Sequence, residues 1–486
     1  MALDNANVTR RWLVPGDRHR NYFYLSHAPG DVMTDNPATA AVRLVPTGGG
    51  ADVVVPATYA DPLRANGALA TWVVRCRIPD DTPAGAYTLT ANGQATDHAL
   101  VVRAKPADQT AVVVGPIPTW ATTAAAALAL GLPVRLLAGE YSLTAVLSLP
   151  AGATLTGHGA TVVLSGNGRL GVPVGSSAAA GITVTGVTFE SADPADPTPV
   201  VSAAGTPYPD LVFDRCVFRD TYFGGVGGAV RGCRLERTHL ALDGADNPSG
   251  ALVENCEFDG PNLLQSSPLV PGNWPNGGCG VVNCGFRATG RGVYVNTNFA
   301  AVRRFLLFHW RANSLHDGGN AGEAFLVEGT NPFDYSLNCW GVVADCPNTA
   351  VAIWECPAAN NTVIKLHASG VAFGVVMNNL HGVQTKTRVI YSYLEGRNPA
   401  AIGAWSNSGA DVDTEDRADP ALDSVDWQGS QLVATRSDYP VRPFHQPSGR
   451  IIRVNGSWNR FDLDGDTGEI DAGSLTPTPT DQDPTA

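Results

Sequence analysis

Apolar and polar positions along this chain alternate in short runs broken by turns, and the run length changes with position. From residue 1 to about 104 the runs AAVRLVP, ADVVVPA, ATWVVRCRIP and PAGAYTLTANG alternate with period two between turn clusters, which predicts a small antiparallel β-sandwich. A connector near 105 to 118 leads into PTWATTAAAALALG, whose Ala and Leu content predicts a helix ending at Gly131. The next section, LPVRLLAGEYSLTAVLSLPAGATLTGHGATVVLSG over 132 to 166, returns to short strands punctuated by Gly and Pro.

An eight-residue unit then recurs five times: ITVTGVTF from Ile182, LVFDRCVF from Leu211, GAVRGCRL from Gly228, ALVENCEF from Ala251 and CGVVNCGF from Cys279, with starts 29, 17, 23 and 28 residues apart. Each reads as a three-residue strand, two mostly polar or small residues, and a second three-residue strand. The inserted pair breaks the period-two phase, so each unit is two strands meeting at a corner. One such coil cannot bury its apolar face alone, whereas stacked coils build a continuous core. Parallel in-register stacking, with about 4.8 Å between strands, predicts one interior column of Val187, Cys216, Cys233, Cys256 and Cys284, and a second of Phe189, Phe218, Leu235, Phe258 and Phe286. The variable spacing implies loops of unequal length on one side, the longest being 259 to 278. Beyond 300 the repeat blurs, but short apolar segments continue to about 405.

The order of helix, then LLAGEY, then LSLPAGATLTGHG resembles the first coils of pectate-lyase-like β-helices, especially those of phage tail spikes. The opening resembles small attachment domains of phage baseplate proteins, and Gly85 to Thr90 the late strand of immunoglobulin-like modules. The fold expected is therefore all-β: an immunoglobulin-like β-sandwich (1–104), a linker and capping helix (105–131), and a right-handed parallel β-helix (132–424). A C-terminal β region (425–472) and a flexible tail (473–486) follow, the acidic, turn-rich stretch 408 to 424 marking the boundary. The resemblance implies a virion protein, homotrimeric, that holds other tail or baseplate proteins through its N-terminal domain and binds a host surface glycan through its β-helix. A depolymerase on the same scaffold, glycosidase or lyase, is the alternative, as is a polysaccharide-degrading enzyme of bacterial origin.

With 486 residues the chain exceeds one ordinary core, as a repeat allows. Its net charge of -13, with no basic cluster noted, disfavours nucleic acid and anionic membrane as partners. The start MALDNANVTRRWLVPGD lacks an apolar signal core, so synthesis in a host cytoplasm is expected, with the nine cysteines mostly reduced and buried. No cofactor or metal site is expected. Asp462, Asp464 and Asp466 open like a calcium loop, but Thr467 and Gly473 stand where Gly and Glu are needed.

Glycoside cleavage needs two carboxyl groups, about 5 to 5.5 Å apart for retention or about 6.5 to 9.5 Å for inversion. Two clusters offer them. Thr185, Asp214, Arg231, Glu254 and Val282 share the first corner position, which puts Asp214 and Glu254 two coils, about 9.6 Å, apart; an Asp-Arg-Glu ladder that braces the corner fits the same residues. His316, Asp317, Glu323 and Glu328, around a Gly-rich turn, supply acid, base and room for a sugar, although a polar turn of the coil gives the same sequence. For stacking on sugar rings Trp274, Trp310 and Trp354 are the candidates, with Trp340 and Trp405 beside them.

Overall fold

A computed structural model of the chain describes residues 7–27, 41–59, 72–105, 109–172, 181–201, 208–223, 226–242, 251–260, 279–296 and 324, together with the further strands named below. Two compact units emerge: 1–264 with 271–284 and 302–306, and 265–270 with 285–301 and 307–486.

The first unit opens with a two-sheet sandwich. One sheet holds Asn7–Val8, Tyr22–His27, Trp72–Arg77 and Ala57–Tyr59; the other holds Trp12–Leu13, Gln94–Val102, Gly85–Ala91, Val42–Pro46 and Val53–Val55. Pairing is antiparallel except where Trp12–Leu13 lies parallel to Gln94–Val102. Phe23, Leu25 and Val74 from the first sheet and Leu44, Leu89 and Leu100 from the second share one core. Period-two alternation produces that result, because every second residue of each strand points between the sheets.

The helix Trp120–Ala129 follows, built from residues of high helix propensity. Its end is a Schellman motif: the Leu132 amide donates to the Ala127 carbonyl (3.0 Å) and the Gly131 amide to Leu128 (2.9 Å), with Gly131 left-handed at φ 75°. Trp120, Ala124, Ala127 and Leu128 are buried. The Trp120 indole meets the Tyr141 ring edge-on at 5.1 Å and donates to the Ser142 carbonyl, while the Tyr141 hydroxyl donates to the carbonyls of Leu137 and Val114. The helix thus packs on the first coils, as expected for a cap over an exposed sheet mouth.

Parallel coils come next. The first sheet of this unit stacks Val112–Val114, Val134–Leu136, Thr154–Thr156, Ile182–Thr185, Tyr208–Asp214, Val226–Arg231, Ala251–Glu254 and Cys279–Val282. A second stacks Gly139–Leu143, Ala160–Leu164, Thr188–Ser191, Val217–Arg219, Arg234–Glu236 and Glu257–Asp259. Shorter pieces form a third side: Val146–Ser148 with Arg169–Gly171, then Thr198–Pro199, Thr221–Phe223 and His239–Leu242. The chain is a parallel β-helix.

The eight-residue units align in the register read from the sequence. Thr185 pairs with Asp214, Asp214 with Arg231, Arg231 with Glu254, and Glu254 with Val282. Val187, Cys216, Cys233, Cys256 and Cys284 are all buried, as are Phe189, Phe218, Leu235 and Phe258, and, in the second unit, Phe286. The described cysteines are free thiols. Each stacked amide or thiol reaches across coils; the Cys216 amide donates to the Cys233 sulfur at 3.4 Å.

The residue between the first corner position and the interior column makes the bend. Gly186, Arg215, Gly232, Asn255 and Asn283 are all left-handed, with φ between 50° and 69°. Their amides keep the ladder unbroken around the bend: Gly186 donates to Asp214, Arg215 to Arg231, Gly232 to Glu254 and Asn255 to Val282, at 2.8 to 3.0 Å. Gly and Asn tolerate this conformation, which explains why small or polar residues recur there. A second left-handed corner falls at Asp220, Arg237, Gly260 and Ala288. Ala288, at φ 52°, has neither the freedom of glycine nor the local hydrogen bonds of asparagine. Ala288→Gly is expected to gain about 1 kcal/mol, read as a raised midpoint in chemical denaturation.

The second unit has three stacks of parallel strands of its own. One sheet stacks Gly285–Arg287, Trp310–Asn313, Gly341–Ala344, His367–Val371, Tyr393–Gly396 and Gln431–Ala434. Another stacks Leu269–Pro271, Val293–Asn296, Phe325–Glu328, Thr349–Trp354, Phe373–Asn378, Ala400–Ala404 and Arg442–His445. The remaining side holds Phe333–Cys339, Ala358–Ile364, Thr385–Ile390, Asp423–Gln428 and Ile451–Val454. Parallel pairing therefore runs on both sides of the acidic stretch, whose residues 405–422 lie outside the described set. Antiparallel Ser457–Arg460 and Thr476–Pro477 close the sheet. Asp462, Asp464 and Asp466 also lie outside the described residues.

Candidate functional site

The corner column bearing Asp214 and Glu254 sits under the N-terminal sandwich. Strand Tyr22–His27 explains how. Phe23 and Leu25 point into the sandwich core, so Tyr22 and Tyr24 point the other way, and both are buried. Their hydroxyls donate to the two oxygens of Glu254, Tyr24 at 2.6 Å to Oε1 and Tyr22 to Oε2. Arg231 Nε donates to the same Oε2 at 3.1 Å, and its guanidinium lies 4.7 Å from the Tyr22 ring centre. Burial first, then the Glu254 carboxylate, pushes both phenols well above their ordinary range.

Two coils from Glu254, Asp214 accepts from Arg18 (3.1 Å) and from its neighbour Arg215 (3.0 Å). Beside it, Asp210 accepts from Arg20 Nε at 2.7 Å, and Arg20 also bonds Asp17, Thr183 and the carbonyl of Ile182. Arg10 reaches Asp210 at 3.4 Å. Desolvation dominates for Arg10 and lowers its pKa, while for Arg20 the opposing attraction of Asp210 and Asp17 overcomes desolvation and raises it.

These contacts correct two expectations. The segment RRWLVPGDRHR, residues 10 to 20, is a basic cluster of four arginines and a histidine, hidden because its charge is spent on the acidic coil. Asp214 and Glu254 are held by cations and phenols of the N-terminal segment, so the column joins sandwich to coils instead of facing a substrate. The first sheet shows the same from its apolar residues: Val212, Ala229 and Leu252 point away from the coil interior yet are buried, and a Cβ on Gly280 would meet Thr9 Cγ2 at 2.5 Å. The sequence carried that signal, since LVF and ALV do not alternate, the mark of a strand buried on both faces.

The outward row of the second sheet, Glu190, Arg219, Glu236 and Asp259, is consecutive in register. Arg219 pairs with Glu236 at 3.0 Å and Glu190 at 3.6 Å, Arg234 with Glu236 at 2.7 Å, and Arg237 grips Asp220 through two bonds of 2.6 Å. The row is a charge ladder that braces neighbouring coils.

The second cluster belongs to the second unit. His316, Asp317 and Glu323 lie outside the described residues, as do Trp274, Trp340 and Trp405. Trp310 opens a strand paired with Gly341, on a different side of the coil from Trp354. The register brings two others together: Asn296 pairs with Glu328, Glu328 with Trp354, and Trp354 with Asn378. Glu328 ends the strand that the His316–Glu323 segment enters, so acid and indole occupy one row on consecutive coils. Among the described residues no set of three His, Cys, Asp or Glu is grouped to hold a metal, and no helix is long and apolar enough to cross a membrane.

No family model matches the chain, and no curated protein does. Among solved structures, the catalytic domain of a GH87 α-1,3-glucanase in complex with nigerose aligns at 12% identity over 92% of this chain and 97% of that one, with a TM-score of 0.35. The Agl-KA catalytic domain aligns at 9% identity over 90% of each chain, TM-score 0.35. The A-module of the mannuronan C-5 epimerase AlgE6 of Azotobacter vinelandii aligns at 15% identity over 70% of this chain and 95% of that one, TM-score 0.35. Nothing about activity follows at such scores. The stacked parallel sheets themselves fit a pectate-lyase-like β-helix, the scaffold that the sequence resembles.

Proposed function

We propose that the chain engages a polysaccharide along the second unit and processes it there, as a glycosidase or lyase. The observation that carries this reading is the row Asn296, Glu328, Trp354 and Asn378, in which Glu328 stands five positions after Glu323 of the His316, Asp317 and Glu323 segment. A carboxyl group and an indole one coil apart, flanked by two amides, suit a sugar chain lying across the coils, with the ring for stacking and the acids for proton transfer. In the first unit the corner carboxylates are already engaged, which leaves this cluster as the source of acid and base.

The test is to incubate purified protein with capsule, lipopolysaccharide and cell-wall glycan, following reducing ends and the absorbance of unsaturated sugars. One glycan is expected to yield product. Asp317→Asn and Glu323→Gln are expected to lower kcat by about 10²–10⁴, and Trp354→Ala to raise KM about fivefold, the factor that corresponds to a lost stacking contact of about 1 kcal/mol. Unchanged turnover in both carboxylate variants would sink the assignment.

A second reading keeps the scaffold and drops the chemistry: a trimeric tail spike or minor tail protein that binds host glycan in a virion. The order of a small sandwich ahead of a β-helix favours it. Binding without product, together with a trimer in light scattering, would select it.

A further inference from the structure

We propose that the N-terminal sandwich is a proton-released clamp, closed over the first sheet of the coils when His19 is neutral and opened when that imidazole takes up a proton.

The geometry around His19 is the warrant. The ring is 8% exposed and sits between its own loop and the coil corner. Arg18 Nε donates to Nε2 at 2.9 Å, which requires a lone pair there. On the other side Arg231 Nη1 lies 3.4 Å from Nδ1, and Asp214 Oδ1 lies 4.0 Å from the same nitrogen. The charged groups facing the ring are thus Asp17 and Arg18 from its own loop and Asp214 and Arg231 from the first sheet, with Arg20 and Arg215 bound to those carboxylates. Asp17 also accepts the His19 backbone amide at 2.8 Å. A proton on Nε2 removes the acceptor of Arg18 and sets imidazolium against guanidinium on both sides. Neither carboxylate is free to compensate: Asp17 holds Arg20, and Asp214 holds Arg18 and Arg215.

A second observation shows a cost built into the same interface. Arg10 is fully buried in it, and its Nε and Nη2, the two donors that form one side of the guanidinium fork, have no hydrogen-bond partner. Arg10 keeps its Nη1 contact with Asp210, but buried donors without acceptors are costly, and that cost is relieved when the sandwich lifts and Nε and Nη2 meet water.

The sign follows from linkage. Burial, the first cause, lowers the His19 pKa from 6.5 to about 4, so the open state binds the proton more tightly than the closed one. The stabilisation is complete above about pH 6.5 and fades as pH falls towards 4. Over that window the closed-to-open ratio drops by at least about tenfold.

Hydroxyl-radical labelling of the full chain, followed residue by residue, tests this at pH 7.0 and pH 4.5 with circular dichroism to confirm that the coils remain folded. Tyr22, Tyr24 and Leu252, buried where the sandwich meets the first sheet, are expected to lose protection at least about tenfold at the lower pH, reversibly, while Leu143 in the coil interior keeps its own. His19→Gln, whose amide oxygen still accepts from Arg18 but gains no charge, is expected to stay protected. Protection that is unchanged in the natural chain would overturn the proposal. So would opening of His19→Gln at the same pH, which would assign the response to the carboxylates.

Discussion

Glu254→Ala is expected to remove about 3–5 kcal/mol of stability in chemical denaturation, more than any other single change at the corner column. The carboxylate accepts from two tyrosine hydroxyls and from Arg231, and all four groups are buried or nearly so. Its removal leaves an uncompensated guanidinium and two phenols without acceptors, which is the costly way to break a buried pair. The more telling variant is Glu254→Gln, which keeps volume and loses charge. A joint in the fold predicts a lower midpoint with the turnover of folded protein unchanged. A catalytic acid predicts the reverse: a preserved midpoint and lost turnover.

Phe218→Ala is expected to cost about 3–5 kcal/mol. Phe218 stacks on Phe189 at 5.7 Å with an 11° interplanar angle, meets Phe213 edge-on at 5.2 Å and lies 4.6 Å from Phe223, all four fully buried. In a solenoid each coil contacts mainly its neighbours, so the loss should be local. Exchange in Thr188–Ser191, Val217–Arg219 and Arg234–Glu236 is expected to rise well before that of Ala160–Leu164. Uniform destabilisation of every coil would show that the stack melts as one body.

The coils were legible because their physics is local and repeated. Five eight-residue units with the same break in phase can stack in only one register, and that register puts Asp214, Arg231 and Glu254 in a row without any knowledge of what lies outside it. The left-handed corner was half legible: Gly186, Gly232, Asn255 and Asn283 announce it, whereas Arg215 does not. What the sequence hid was long-range. Arg18 and Asp214 are 196 positions apart, Tyr22 and Glu254 232. Alternation says that Tyr22 and Tyr24 share a face but not what covers it, so a buried carboxylate on a corner reads as readily as an acid for chemistry. The non-alternating LVF and ALV were the one available sign that a second layer lies there.

That second layer settles which coil is which. Successive turns of this β-helix are nearly interchangeable, and a strand that paired one turn too early would bury the same kinds of side chain in the same columns. The N-terminal segment removes the degeneracy, because Arg20 fits Asp210, Arg18 fits Asp214 and the two tyrosines fit Glu254, each on its own turn. A frame-shifted stack would set Arg231 where Glu254 belongs and leave the tyrosines facing a cation. The sandwich, which precedes the coils in the chain and so is made before them, therefore serves as the index mark against which the turns behind it are counted.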